Sequence, residues 1–483
     1  MKEVFTMKKR MISLVLVVAM LLCVLPAASA AENDPAPAFY SYYLSLSESI
    51  AIKFKFANSN ENCYVTFNDG AEKVPVKNGI VTYADMSPAE LAKDVKVTLY
   101  NGDTEITSKT VSALGYCKAI LNGNSYSANM KNLAADLINF GIAFRASKDN
   151  ASEYKEITKP ENIGAYASVV VPAMEQCASD STFAAGTISG GVALEDAVML
   201  YVECAGAEKI VFTKEGGASV TVEPETTAKG RRFYFRGLNP AEMRKKVTVK
   251  GLDANGNEIG TLTTTIEDYA ADCNDVNASA ELAAYAGVTK AMMQYGDAVA
   301  GYVAASASDV LYYNNFNYAA SGATATGTYT INSDGQFEAV ASKTNPDPFQ
   351  INFANSKQKI SVEWDFKSTL GGDIKSFRSG MTFMVGNSVL WLPIDAYTFK
   401  VVDKAGETST NVSWTDNKTY KMKVELDTVN DTYKYYIGDE LKASGTLRRD
   451  ITYCTNFGLD TGSFNGNSTL TVYIDNLVVK QIP

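Results

Sequence analysis

The chain has 483 residues, with 44 Lys and Arg against 54 Asp and Glu, no histidine and a formal charge of −10. The acidic balance argues against a nucleic-acid partner, because phosphate binding needs a basic footprint. The missing imidazole removes Ser-His-Asp and Cys-His catalysis, His-ligated zinc and histidine general bases.

Lys8, Lys9 and Arg10 precede an apolar run from Met11 to Leu25 and then Ala28-Ser29-Ala30. Basic, apolar and small residues in that order predict a secretory signal over 1–30 and a secreted, extracellular protein that can associate with a cell surface. The run is shorter than the roughly 20 residues that span a bilayer, so no retained membrane span is expected. Cleavage removes four basic residues and one acidic residue, which moves the net charge to −13. It leaves Cys63, Cys117, Cys177, Cys204, Cys273 and Cys454. None shows CxxC spacing, so no zinc site is expected; free thiols and disulfides both stay open in an exported chain.

After an N-terminal segment over 31–43, the sequence repeats itself. Met86-Ser87-Pro88-Ala89-Glu90-Leu91 leads into Val95-Lys96-Val97, and Leu238-Asn239-Pro240-Ala241-Glu242-Met243 leads into Val247-Thr248-Val249. In each, Ser or Asn caps one helical turn, Pro sits where its missing N–H costs nothing, and Glu reaches back from the third position. Upstream, Ile50, Ile52, Phe54 and Phe56 alternate with polar residues, as do Val198, Leu200 and Val202, the period of half-buried strands. Downstream, Asn101-Gly102 and Asn255-Gly256 mark turns. Each copy then closes on an apolar helical stripe: Leu133, Leu137, Phe140 and Phe144 in one, Val288, Met292, Tyr295 and Val299 in the other. The expectation is two immunoglobulin-like sandwich modules, 44–145 and 192–303, each closed by an amphipathic helix packed on its own sandwich. A connection with some local structure covers 146–191, and an Ala-Ser-Ala linker covers 304–308.

The segments Ile266-Glu267-Asp268-Tyr269-Ala270 and Ala291-Met292-Met293-Gln294-Tyr295-Gly296-Asp297-Ala298 resemble a module that recurs in large secreted and surface proteins of gut Firmicutes. The first copy departs from it at Ile138-Asn139-Phe140-Gly141. The resemblance implies a spacer and carries no catalytic residue.

From 309 to 483 strand periodicity replaces helical periodicity. Phe349, Ile351 and Phe353 alternate, then Ile360, Val362, Trp364 and Phe366, then Tyr420, Met422, Val424 and Leu426. Gly386-Asn387 is expected as a two-residue hairpin turn, with Asn430-Asp431 at another. Asn315-Phe316, Trp414, the run Lys418 to Val424, the run Tyr435 to Leu441 and Tyr473-Ile474-Asp475-Asn476-Leu477-Val478-Val479 resemble concanavalin A-like or laminin-G-like jelly rolls. That resemblance implies a C-terminal jelly-roll β-sandwich, making the chain mainly β. It admits lectins, binding modules and glycosidases alike. Domains of this kind can bind calcium, but no cluster of ligands here is specific enough to assign one.

Three residues are candidates for ligand contact. A turn at Gly386-Asn387 puts Phe383, Val385, Leu390, Leu392 and Ile394 on one sheet face and Thr382, Met384, Val389 and Trp391 on the other, so Trp391 points away from the main core. Trp414 precedes a strand where a structural role competes with ligand contact. Tyr312 and Tyr313 point oppositely, and Tyr313 is the candidate of the two. Glu363-Trp364-Asp365 is similar to the start of the Glu-x-Asp-x-x-Glu motif of laminarinase-type glycosidases, but Ser368 stands at the third position and Lys367 at the variant spacing. Without a second carboxylate the retaining mechanism lacks its acid, so no catalytic residue is assigned. The reading is a non-catalytic glycan-binding or adhesion protein with a polysaccharide or glycoconjugate partner. The alternative is a secreted glycosidase or lyase that works without histidine, recognisable by two carboxyl groups at catalytic spacing. The sequence leaves the oligomeric state open.

Overall fold

The computed structural model describes residues 35–46, 49–171, 173–177, 181–194, 198–227, 230–318, 324–371, 377–395, 398–464 and 468–483. The proposed signal over 1–30 lies outside them. The described residues fall into two compact units, one within 1–122, 137–159 and 174–297, the other within 123–136, 160–173 and 298–483.

Strands β1 (Ala38–Leu46), β2 (Ile50–Ala57), β3 (Cys63–Phe67), β4 (Val74–Pro75), β5 (Ile80–Met86), β6 (Val95–Asn101) and β7 (Thr104–Val111) precede helices α1 (Ala113–Asn122) and α2 (Ala128–Ala146). They form a sheet β1-β2-β5 and a sheet β4-β3-β6-β7. Then β8 (Ile188–Leu194), β9 (Val198–Cys204), β10 (Lys209–Lys214), β11 (Ser219–Val222), β12 (Glu225–Thr227), β13 (Gly230–Phe235), β14 (Val247–Leu252) and β15 (Glu258–Thr264) precede α3 (Ile266–Asn274), α4 (Ala280–Ala283) and α5 (Ala286–Ser306). Their sheets are β12-β13-β9-β8 and β11-β10-β14-β15, so the same strand order recurs with β12 added. Both capping turns form as expected: Glu90 accepts from the Ser87 N–H at 3.1 Å and Glu242 from the Asn239 N–H at 3.2 Å. Ala89 and Ala241 donate to the Ser87 and Asn239 side chains.

The helix stripes are buried throughout. Each closing helix uses a glycine to reach its own capping turn: a Cβ at Gly141 would sit 2.8 Å from the Pro88 carbonyl, and one at Gly296 2.9 Å from the Pro240 carbonyl. The Phe140 and Tyr295 rings also stack on each other, 5.4 Å apart and 13° from parallel. Three boundaries differ from expectation. Strand β1 starts ahead of residue 44 and β8 ahead of 192. Helix α5 runs through Ala304 and Ala305 to Ser306, because alanine propagates helix better than any other residue and makes a poor linker. Helices α1 and α3 each follow a last strand directly, giving every module more helix than its closing stripe announced. Among the described residues the six cysteines are free thiols, five of them buried.

The C-terminal domain is an antiparallel β-sandwich of β16 (Val310–Asn314), β17 (Thr324–Gly327), β18 (Thr330–Ile331), β19 (Phe337–Ser342), β20 (Phe349–Asn352), β21 (Lys359–Gly371), β22 (Phe377–Phe383), β23 (Leu390–Asp395), β24 (Thr398–Asp403), β25 (Gly406–Ser413), β26 (Tyr420–Asp427), β27 (Thr432–Ile437), β28 (Glu440–Thr446), β29 (Asn456–Phe464) and β30 (Thr469–Gln481). One sheet runs β18-β19-β30-β21-β26-β27-β28 with β16 also on β30; the other runs β17-β20-β29-β22-β23-β24-β25. The inward rows of both, including Trp364, Phe366, Phe383, Leu392, Val424 and Phe457, make one continuous core. Phe383 faces Leu390, so the connection spans 384–389 and is longer than a two-residue hairpin. Its register is nonetheless the one a Gly386-Asn387 turn sets. Asp431, at φ 51°, takes the left-handed position of the other turn.

Candidate functional site

The outer face of the seven-stranded sheet gathers the side chains that the core does not use. Leu390, Leu392 and Ile394 point inward, which turns Trp391 outward opposite Thr382 and Val402. The next strand presents Gly380, and β29 presents Gly458 and Gly462 beside Asp460. Removing side chains there makes a low floor across which the indole lies: a Cβ at Gly462 would be 2.8 Å from the Trp391 ring.

Charged groups close around that ring. The Arg378 guanidinium sits over it at 4.7 Å. Arg378 pairs with Glu407, which pairs with Lys400 at 2.8 Å, and Lys400 pairs with Asp395 at 2.6 Å. The hydrogen bonds that Lys400 donates to Asp395 and Glu407 hold its ammonium above its ordinary range. On the glycine side, burial raises the Asp460 carboxyl; the nearby Asp347 adds to this and Arg448 opposes it. Two donors in this patch, Trp391 Nε1 and Arg378 Nε, are buried without a hydrogen-bond partner. A buried donor left unpaired costs roughly 1–3 kcal/mol, so the patch favours anything that brings acceptor oxygens to it.

The other candidates lie elsewhere. Trp414 is 9% exposed, and its indole N–H donates to the buried Ser368 hydroxyl at 2.8 Å, so both ring and donor serve the core. Tyr313, half-buried on β16 opposite Val478, lines a separate pocket with Tyr302 and Tyr312. The structure therefore does not bring Trp391, Trp414 and Tyr313 together.

Ser368, at the glycosidase motif's third position, is spent on Trp414, while Trp364 is core and Glu363 pairs with Lys480 at 3.5 Å. Asp365 does have a carboxylate neighbour, from a strand far away in sequence. It faces Asp475 directly across β21 and β30, which places their Cβ atoms roughly 4.5–5.5 Å apart. Asn476, at φ 49°, donates its amide to Asp365 at 2.9 Å and its backbone N–H to Asp475 at 2.7 Å. Burial pushes Asp475 up to about 7; the Asn476 N–H opposes this and the Asp365 charge reinforces it. Nothing local in the sequence announces this pair, since 110 residues separate its members. Among the described residues, no group of three or more Asp, Glu or Cys is placed to hold a metal, and no helix is long and apolar enough to cross a membrane.

No protein-family model matches the sequence, and no curated protein matches it. Among solved structures, a botulinum neurotoxin type C structure, described as entering cells through two ganglioside molecules, is 12% identical at TM-score 0.26 over 33% of this chain and 43% of that one. An alginate lyase of polysaccharide lyase family 7 is 15% identical at TM-score 0.25, over 32% of this chain and 82% of that one. The alginate lyase of a Corynebacterium species is 10% identical at TM-score 0.27, over 32% and 81%. The chain spans less than half the length of the neurotoxin chain it matches.

Proposed function

We propose that the protein is an extracellular, non-catalytic glycan-binding or adhesion protein. Its jelly roll binds through the Trp391 face, and its two sandwich modules, copies of one ancestral unit, act as spacers. The observation that carries this reading is the pair of unpartnered buried donors, Trp391 Nε1 and Arg378 Nε, beside a glycine floor on an outer sheet face. Sugars supply what such a patch lacks: acceptor oxygens for the N–H groups and C–H faces for the ring. Binding should therefore weaken in Arg378→Lys, which deletes one of the two donors, and collapse when Trp391 is removed. Calorimetry and a glycan array with the full chain and with Trp391→Ala test this. Binding to a plant, mucin or microbial polysaccharide, lost at least tenfold in Trp391→Ala, is expected. No binding to any of them overturns it.

The Asp365–Asp475 pair favours a second reading, a glycosidase. Burial keeps the Asp475 carboxyl protonated to higher pH, as a general acid requires, and Asp365 stands directly opposite it on the adjacent strand. Hydrolysis of a β-glucan that disappears in both Asp365→Asn and Asp475→Asn would establish it. A purely structural pair behaves differently: Asp475 binds its proton more tightly folded than unfolded, so stability falls as pH rises from about 4 to about 7. Asp475→Asn would then remove that slope with no catalytic consequence.

A further inference from the structure

The second unit holds a pocket that none of the sheet chemistry explains. The start of α2, the end of α5 and strand β16 enclose about 260 Å³, lined by Tyr302, Tyr312 and Tyr313 among small and amide residues. This is slightly below the roughly 300–1,000 Å³ of drug-sized ligand sites and suits a single ring. Its lining contains no Lys, Arg, Asp or Glu, although the chain is 20% charged. Tyr312 and Tyr313 are successive residues of an outer strand of their sheet, and the Tyr313 ring lies at ordinary contact range from Gly301 on the helix. Asn314 donates to the Tyr312 hydroxyl at 3.3 Å, which fixes that side chain's polar end. Burial pushes the Tyr312 hydroxyl up to about 12, so it keeps its proton at any physiological pH. Asn129 and Ser306, an amide and a hydroxyl, stand at the wall to exchange hydrogen bonds with an entering ligand.

We propose that this pocket is a second binding site, for one neutral, hydroxyl-bearing sugar ring. Tyrosine faces meet the ring's C–H groups, amides and hydroxyls meet its hydroxyls, and the uncharged wall penalises an anionic sugar, whose carboxylate would find no cation. The ligand class rests on the glycan-binding reading above; the site itself is independent of the Trp391 face.

The experiment is saturation-transfer NMR on the full chain with glucose, galactose, mannose, N-acetylglucosamine and glucuronate. Millimolar binding of at least one neutral sugar is expected, with glucuronate at least tenfold weaker and salt without effect. Tyr302→Ala should weaken binding at least tenfold. Ser306→Trp should do the same by filling the pocket from an exposed position that leaves folding intact. Trp391→Ala should change nothing. Absence of neutral-sugar binding, or binding that survives Ser306→Trp, overturns the pocket. If polysaccharide binding still depends on Trp391 in that case, the glycan reading stands without the pocket. Monosaccharide binding lost in Trp391→Ala but kept in Ser306→Trp assigns the sugar to the sheet face and also overturns it.

Discussion

In the first sandwich module Leu114 donates its backbone N–H to the Leu91 carbonyl at 2.7 Å; in the second, Glu267 donates to the Met243 carbonyl at 3.3 Å. The joint between capping turn and following helix is the same, but the side chains around it differ in kind. The first-module residues at the corresponding positions are Ala92, Leu114 and, one residue after Gly141, Ile142. The corresponding second-module positions are Arg244, Glu267 and Asp297, and Arg244 bridges both carboxylates, Asp297 at 3.1 Å. Burial works against the Arg244 charge, but the hydrogen bond and charge of Asp297, with Glu267 behind them, outweigh it and raise its pKa. One backbone geometry thus accepts either an apolar plug or an ion triad. The capping turn and the glycine approach determine that geometry; the side-chain contact only has to fill the space and satisfy its charges.

The largest effect should come from the element the modules share. Phe140→Asp or Tyr295→Asp puts a carboxylate into a stacked, buried ring pair and should cost about 3–5 kcal/mol, read as a lower unfolding midpoint. If either change were neutral, the two stripes would not be the common closure they are taken to be. A smaller effect separates the two chemistries. Leu114→Ala should cost about 2–3 kcal/mol regardless of salt, because it removes apolar contact. Glu267→Ala should cost about 1–3 kcal/mol, and less in 1 M salt, since it leaves Arg244 with one partner in a partly exposed site. Restoring the apolar pattern with Arg244→Ala, Glu267→Leu and Asp297→Ile together should be neutral or stabilising. A large loss in the triple variant would show that the triad contributes something an apolar plug does not.

Smaller again, Ser87→Ala and Asn239→Ala should each cost about 1 kcal/mol by chemical denaturation, since both remove the same cap. The smallest effect is an acid sensitivity in the second module. Burial raises the Glu242 carboxyl, but hydrogen bonds from Lys214, Lys245 and the Asn239 N–H overcome this and hold it below the usual range. Its stabilisation is therefore complete above the ordinary glutamate range near pH 4.3 and is lost as the pH falls below that. Unfolding followed from pH 5 to pH 2 should show a shallower fall in Glu242→Gln.

Legibility differed between the regions for physical reasons. The Ser87 and Asn239 turns could be read because a cap is a local device, three residues long, whose bonds close within the motif. The helix stripes and the strands through Trp364, Val424 and Trp391 were readable because side-chain direction follows a fixed period. The same arithmetic turned Trp391 away from Leu390 and Leu392, as found, but it also put Val389 on the outer face, whereas Val389, in the connection rather than a strand, is buried in the core. Helix α1 was not legible because Ala113–Asn122 contains one glycine, Gly115, and is followed by another, Gly123, and tertiary packing outweighs that low propensity.

Long-range partners were the part that no local pattern contained. The outward direction of Trp391 followed from register, and Arg378 and Glu407 come from the same consecutive run β22-β23-β24-β25, but Gly462 reaches it only because β29, far along the chain, pairs with β22. Likewise Trp414 could have faced outward until Ser368 took its N–H, and Asp365 lacked a second carboxylate until β30 delivered Asp475. The sequence by itself determined the exclusion of histidine chemistry, the two capped modules and the β character of the last 170 or so residues, because composition, caps and period-two alternation act over a few residues. The tertiary structure decided which outward side chains meet, because contact between distant strands depends on strand order and register, which are set by burial of the whole core at once.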